Sequence, residues 1–516
     1  MCDILFGESY YLRFDPKLWE AMQPFPPLGT MYAASFMRSR GYQVALFDAM
    51  LAETEAEWEQ ALIAQMPRFA VIYEDNFNYL SKMCLLRMRQ AAFTMIAMAR
   101  QYGCQVIVCG ADASDHPDDY LSQGADFVLI GEGEHSLGEL VDHLSGRSDT
   151  PLDTILGLTR EGCKRTTRRP DIRDLDALPF PAWDLIDVPR YRQLWLERHG
   201  YFAMNMVTTR GCPFHCNWCA KPIWGQRYNV RSPENVVAEL KWLKETYHPD
   251  IIWFVDDIFG LKPGWVPSFG RLVDLEGLHV PFRCLSRVDL LLREGEIAAL
   301  KQAGARIIWV GAESGAQKIL DAMDKGTRVE QIYEVARRLH AANLKVGFFL
   351  QFGYPGETLQ DIEKTLQIVR DCEPDDIGVS VSYPLPGTKF FAAVKEQLGS
   401  RQNWYDSDDL AMLYQGPFST EFYRQLHTFL HCEFRLRKAS RALRGNQVSR
   451  GTDPIPGSRR QQTWSRTLVK LLYYWIRLPV ERWKLNSLAR LSHQDLSVLP
   501  QALRPEDAAQ PSPQTE

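Results

Sequence analysis

The strongest constraint on this chain is a β/α alternation that runs twice. In its first stretch, short β-rich runs stand at ILF (4–6), QVALF (43–47), FAVIY (69–73), QVIVC (105–109) and DFVLI (126–130). Between them lie segments with helical spacing of apolar residues, such as GTMYAASFMRSR and LLRMRQAAFTMIAMARQY. Apolar runs of strand length separated by helices belong to parallel strands covered on both faces. The pattern predicts an open doubly wound α/β sheet over 1–145. Its ligands would sit beyond the carboxyl ends of the strands, at the switch in strand order.

The second alternation runs through 201–400. Its strand candidates are FAMNMVTT (202–209), IIWFVDD (251–257), RCLSRV (283–288), RIIWVGAES (306–314), KVGFFLQFG (345–353) and IGVSVSYP (377–384). Six βα units predict a partial barrel whose active face lies at the strand carboxyl ends. Between the two blocks, 146–200 is turn-rich and reads as a connector with a small hairpin. Residues 401–495 read as helical and basic. The polar tail, 496–516, reads as disordered.

The 516 residues are 45% hydrophobic and 24% charged, the usage of ordinary globular proteins, which excludes disordered, collagen-like and disulfide-framework chains. The opening residues lack the features of a signal peptide. The longest apolar candidate, 468–480, is too short to span a bilayer and contains Lys470 and Arg477. Eleven cysteines, an odd number, point to a reducing cytoplasm.

Cys212, Cys216 and Cys219 form CxxxCxxC at the end of the first strand of the second block. Three thiolates on one strand-end loop can hold three irons of a 4Fe–4S cluster and leave the fourth iron open to a small chelating molecule. Zinc with His215 as fourth ligand, or unrelated thiols, are the alternative readings. The other eight cysteines show no ligand spacing.

With Trp218 just before its last cysteine, this motif resembles the radical S-adenosylmethionine (radical SAM) superfamily. The likeness continues through FVDDIFG (254–260), VGAESG (310–315), GYPGET (353–358) and YPLPGTKFF (383–391), covering about 200–395 in the expected order. It implies that Cys212, Cys216 and Cys219 ligate the cluster and that S-adenosylmethionine (SAM) chelates the open iron. Asp256 and Asp257 match polar contacts to the SAM amino group, and Glu313 and Ser314 match contacts to its ribose or carboxylate. Gly353 and Pro355 fall in the loop near the adenine. Taken singly, these residues also suit turns and helix caps.

PPLGTMYAASFMRSRGYQVALFDA (26–49), GADFVLIGEGEHSL (124–137) and DALPFPAWDL (176–185) resemble the Rossmann-like cobalamin-binding domain and connector fused to many radical SAM enzymes. Residues placed to approach the corrin are Tyr10, Leu28, Gly29, Glu74, Asn76, Gly110 and Glu132. The DxHxxG motif that supplies a histidine to cobalt is absent. His116 is its nearest candidate and reads as a loop histidine.

The resemblance to cobalamin-dependent radical SAM methyltransferases implies three cofactors: a 4Fe–4S cluster, SAM and cobalamin. It also implies a flavodoxin- or ferredoxin-type electron donor and a small-molecule substrate. A 5′-deoxyadenosyl radical would take hydrogen from an unactivated carbon, which then receives a methyl group carried by cobalamin. The anaerobic magnesium-protoporphyrin monomethyl ester cyclase family shares the architecture, so oxidative cyclisation or carbon–carbon bond formation is the alternative. A non-catalytic sensor is a further one.

The net charge of −5 hides an asymmetry. Residues 435–490 hold fourteen Lys and Arg against Asp453 and Glu481, with Trp464, Tyr474 and Trp475 among them. The pattern suits an interfacial helix on anionic lipid at the inner face of the membrane, or a packed helix with a solvated basic face. It is a weaker match for nucleic acid.

Overall fold

A computed structural model describes residues 2–77, 86–219, 223–399, 410–443, 464–490 and 503. The tail expected to be disordered lies outside these residues, apart from Leu503. Arg444, Arg450, Asp453, Arg459 and Arg460 of the basic segment also lie outside them.

Strands β1 (Ile4–Gly7), β2 (Val44–Leu46), β3 (Phe69–Tyr73), β4 (Gln105–Cys109), β5 (Phe127–Leu129) and β6 (Leu158–Thr159) form one sheet in the order β2-β1-β3-β4-β5-β6. The first five are parallel, and β6 pairs antiparallel with β5. Leu5, Ala70, Ile72, Val106 and Val108 pack on helices Ala56–Gln65 and Leu86–Gln101. Their strand neighbours Ile4, Phe6, Phe69, Val71 and Ile107 face helices Leu28–Ser39 and Glu134–Leu144. With both faces buried, the strands read as unbroken apolar runs. The order reverses between β1 and β3, which opens a crevice at their carboxyl ends. Strand β6 belongs to the stretch read as connector: its backbone pairs with β5, so the sheet runs past 145.

A second, curled parallel sheet has the order β14-β13-β12-β11-β10-β7. Its strands are β7 (Ala203–Met206), β10 (Ile251–Phe254), β11 (Phe282–Ser286), β12 (Ala305–Glu313), β13 (Lys345–Phe352) and β14 (Asp376–Val381). Between β7 and β10, β8 (Thr209–Arg210) and β9 (Asn229–Val230) make a two-stranded antiparallel clip. Ile308, Val310, Ala312, Val346 and Phe348 are fully buried, whereas Trp309 and Phe349, pointing to the other face, are only half-buried and stack 4.7 Å apart.

Helix Val188–His199 of the connector lies against both blocks. Tyr191 donates to Asp48 (2.9 Å), and Trp195 Nε1 donates to the Pro24 carbonyl (2.8 Å). From the barrel side, Asn205 Nδ2 donates to the Pro26 carbonyl (2.9 Å). Two long helices, Thr420–Leu443 and Trp464–Ala489, close the described chain. Glu433 on the first receives Arg370 in a two-pronged pair (2.7 and 3.0 Å), which fixes that helix to Leu359–Cys372.

Candidate active site

Strand β7 stops at Met206, three residues short of the strand expected from the sequence. The cause is Asp256, just beyond β10. Its carboxylate accepts the backbone N–H of Thr208 (2.7 Å) and Thr209 (2.6 Å) and both hydroxyls (3.0 and 2.8 Å), pulling the chain out of the ladder. Asp256 is buried, and burial outweighs these bonds to push its pKa up to about 6.

The cysteine loop follows at once. Gly211 has φ +82°, and a Cβ there would stand 2.4 Å from the Arg227 carbonyl, so only glycine fits between β8 and Cys212. Cys212, Cys216 and Cys219 are half-buried. Asn217, between the last two, pins the loop: its N–H donates to the Met323 carbonyl (3.0 Å) and its Nδ2 to the Ala322 carbonyl (2.6 Å). Its Oδ1 accepts from Tyr354 of the GYPGET segment (2.8 Å), and its carbonyl accepts from Phe390 N–H (3.0 Å). One residue thus joins the cysteine loop to segments following β12, β13 and β14.

Glu313, at the end of β12, takes φ +56° where the register with β13 shifts. It pairs with buried Lys325 at 2.7 Å. Burial works to lower the Lys325 pKa, but Glu313 and then Cys216 beside it prevail and raise it. Arg287 lies 3.6 Å from the Phe214 ring. The cysteine loop is therefore flanked by two cations, each also paired with a carboxylate: Lys325 with Glu313 and Arg287 with Asp289. Among the described residues, no three His, Cys, Asp or Glu side chains are drawn together into a metal-holding group. The donor set still suits a cluster: three half-buried thiols on one loop, with cations at its side.

The remaining barrel residues singled out in the sequence lie on the same rim. Asp257 is exposed. Ser314 is fully buried, its Oγ 3.2 Å from Thr365 Oγ1 and accepting from Ala316 N–H. Gly353 has φ +77° and is covered by Met412 and Tyr423. Its N–H donates to Glu357 (2.7 Å), and its carbonyl accepts from Tyr414. Pro355 is buried beside it.

At the carboxyl ends of the first sheet, Ser9 donates to Glu74 through hydroxyl (2.6 Å) and N–H (3.2 Å), and Gly29 N–H donates to Asp75 (2.9 Å). Gly110 lets the Glu74 side chain cross β4, since a Cβ there would meet it at 2.7 Å. Burial raises Glu74 to about 7 and raises Glu8 well above the carboxylate range. Both Glu8 carboxylate oxygens and Asn76 Oδ1 are buried without hydrogen-bond partners. Tyr10 and Leu28 are buried in the apolar core nearby. Orphaned acceptors at a strand-order switch suit a ligand rich in amide donors, as corrin side chains are. His116 sits between two short helices, 4.0 Å from Asp112.

Glu132 belongs to a different arrangement. Its carboxylate receives Arg210, Trp224 Nε1 (3.3 Å) and the Ile172 N–H, and Arg210 also reaches Glu134 at 2.8 Å. All three charged residues are about 96% buried or more. Arg210 stands two residues before Cys212, so this triad ties the first sheet to the cysteine loop. Arg210, Asn217 and Lys325 were not singled out in the sequence, because their partners are distant along the chain and leave no spacing signal.

Residues 206–369 match the family model of the radical SAM superfamily. Three curated relatives each align with 73% of the chain. An uncharacterized methyltransferase of Pyrococcus horikoshii is 27% identical over 398 residues, 81% of its own length. The hopanoid C-3 methylase of Methylococcus capsulatus is 26% identical, over 70% of its length. The anaerobic magnesium-protoporphyrin IX monomethyl ester cyclase of Synechocystis is 23% identical, over 74%. Among solved structures, the radical SAM methyltransferase TsrM of Kitasatospora setae superposes with a TM-score of 0.62 at 18% identity, covering 78% of this chain and 79% of its own. The cobalamin-dependent radical SAM enzyme OxsB gives 0.64 at 14% identity, covering 97% and 83%. At those identities the likeness is one of fold. Residues 206–369 thus match a radical SAM superfamily domain, with the cysteine loop at the head of that domain.

Proposed function

We propose that the chain is a cobalamin-dependent radical SAM enzyme that places a methyl group on an unactivated carbon of a small molecule. The Arg210–Glu132–Glu134 triad carries this reading, because it sets the cysteine loop against the strand ends of the first sheet. Cys212, Cys216 and Cys219 would hold the cluster, with Asp257, Glu313 and Ser314 on the rim toward SAM. Asp256 would shape the loop, and Gly353 and Pro355 would form the wall near the adenine. Glu8, Glu74, Asn76, Gly29 and Gly110 would face cobalamin, while Glu132 would hold Arg210. When bound, the cofactors supply a carbon-centred radical and a transferable methyl group; the protein positions them and excludes water. A flavodoxin- or ferredoxin-type donor would supply the electron.

The test is anaerobic reconstitution with SAM labelled in its methyl group and an extract of candidate substrates. Methyl transfer predicts 5′-deoxyadenosine and label in an extractable product. Likeness to the cyclase supports a second reading. That reading predicts 5′-deoxyadenosine with no label transferred and a product that has gained oxygen or lost hydrogen.

We also propose that the last helix rests on anionic lipid. Its inner stripe, Thr467, Leu471, Tyr474, Leu478, Glu481 and Leu485, packs inward at helical spacing. A second stripe, Val469, Leu472, Tyr473, Ile476, Val480 and Trp483, faces outward and is 48–69% exposed. Lys470, Arg477 and Lys484 run along one border of it. No described helix is long and apolar enough to cross a membrane, so contact would be at the surface. The Ile476→Glu, Trp483→Glu double variant should stop pelleting with phosphatidylglycerol vesicles; pelleting equal to the wild type would remove the proposal.

A further inference from the structure

Helices cover one face of the second sheet: Phe254 and Phe282 meet Phe269 of helix Trp265–Leu275, with ring centres 6.0 and 6.2 Å away. Side chains alternate along a strand, so their neighbours Trp253 and Arg283 point to the opposite, concave face. Strand pairing carries that face onward to Leu285, Trp309 and Phe349. All five are half-buried. Two glycines make a floor for the rings. A Cβ at Gly347 would stand 2.4 Å from Trp309, and one at Gly378 would stand 2.9 Å from Phe349.

Arg283 has no counter-ion among the described residues. Its Nε is buried without a hydrogen-bond partner. Three rings surround its guanidinium instead: Trp253 at 4.3 Å, Phe25 at 5.5 Å and Trp195 at 6.0 Å. Burial pulls its pKa down to about 10, and the phenol of Tyr201, not a carboxylate, is what works against that fall. Aromatic faces recover only part of the cost of burying an unpaired charge. Two acceptors on the same face are orphaned as well. They are Gln351 Oε1, two residues beyond Phe349, and Asn205 Oδ1, on the residue paired with Trp253. Gln351 and Asn205 are only 3% and 2% exposed, so water does not satisfy them freely.

We propose that this concave face binds the substrate as a carboxylic acid with a flat apolar body, and that Arg283 selects it by pairing with the carboxylate. A planar guanidinium matches a carboxylate in two-pronged fashion, and a single cation balances a monoanion rather than a phosphate dianion. Trp309 and Phe349 offer ring faces on which the body stacks, and Gln351 accepts a hydrogen bond from a donor on it. Arg283 stands three residues before the end of β11, so the acid end lies roughly 10 Å of strand below the rim. The modified carbon is accordingly remote from the carboxylate. This inference rests on the reading above that the rim modifies a small molecule, and it names the class of that molecule.

Fluorescence titration of the full-length protein tests it without turnover, using pyrenebutyric acid, neutral pyrenebutanol and cationic pyrenebutylamine as probes. The wild type should bind the acid about tenfold or more tighter than the alcohol, and the amine more weakly still. Arg283→Met should bind acid and alcohol alike while keeping wild-type iron content. Arg283→Lys, which keeps the charge and loses the fork, should retain part of the preference. Trp309→Leu should weaken acid and alcohol together. Equal binding of acid and alcohol by the wild type would overturn the proposal, as would a wild type that does not bind the acid. A preference for the acid that survives Arg283→Met would overturn it too. The wild-type comparison needs no variant, so it stands even where a variant fails to fold. Absence of label transfer with the acid preference intact would count against methyl transfer alone.

Discussion

Arg210 stands two residues before Cys212, yet its guanidinium is buried against Glu132 and Glu134 of the other sheet. Burial disfavours each of these charges alone, and the cluster persists because the three satisfy one another. Replacing Arg210 by Met should cost about 3–5 kcal/mol, since it strands two buried carboxylates. Adding Glu132→Gln and Glu134→Gln should recover much of that loss in chemical denaturation. If the single variant is as stable as the wild type, the triad does not join the two sheets. Glu357 makes a different prediction. It is the buried glutamate of the GYPGET segment itself, and burial raises its pKa to about 8, against the Gly353 N–H that works to lower it. A carboxyl whose folded pKa is raised adds stability that is fully present below its ordinary pKa and is lost as pH rises through about 8. Between about pH 6 and pH 9 the wild-type melting temperature should therefore fall relative to Glu357→Gln. Parallel pH profiles for the two proteins would contradict this. None of these pairings was legible in the sequence: Arg210 and Glu132 are 78 residues apart, and nothing in either neighbourhood marks the other.

At the scale of elements, the strands were legible where both faces are buried, because an apolar run such as FAVIY or QVIVC admits few other structures. The reading failed where side chains capture backbone. FAMNMVTT looks like one strand, but Asp256, a residue from the next βα unit, takes the N–H groups of Thr208 and Thr209 and ends β7 at Met206. The β8–β9 clip was missed for a related reason: two-residue strands carry no periodicity. Together these two features launch the cysteine loop, and Gly211 is the joint between them. Gly211→Ala must push its Cβ against the Arg227 carbonyl in a backbone region that costs L-residues about 1 kcal/mol or more. The expected outcome is a destabilised clip and lower iron retention after reconstitution, read from iron content per chain. Iron content equal to the wild type would show that the clip tolerates the strain. The paired apolar stripes of the last helix were only half legible. Their composition marked an amphipathic basic helix, and the packed face was settled by the Gln425–Glu481 bond (2.7 Å).

For the whole molecule, the double alternation predicted two α/β blocks, and a mainly parallel sheet stands in each. The connector helix and the Arg210 triad then set the cysteine loop against the strand ends of the first sheet. That arrangement came from contacts between distant residues and could not be read from periodicity. On the function proposed above, Cys212, Cys216 and Cys219 serve radical chemistry on SAM rather than a structural metal. The most direct measurement is 5′-deoxyadenosine formed by anaerobically reconstituted full-length protein with SAM and reductant, compared with a Cys212→Ala, Cys216→Ala, Cys219→Ala variant. The wild type should give 5′-deoxyadenosine and iron–sulfur absorption, and the variant neither. A wild-type protein that binds iron but releases no 5′-deoxyadenosine, or a variant that releases it equally, would show that the three cysteines do not serve this chemistry.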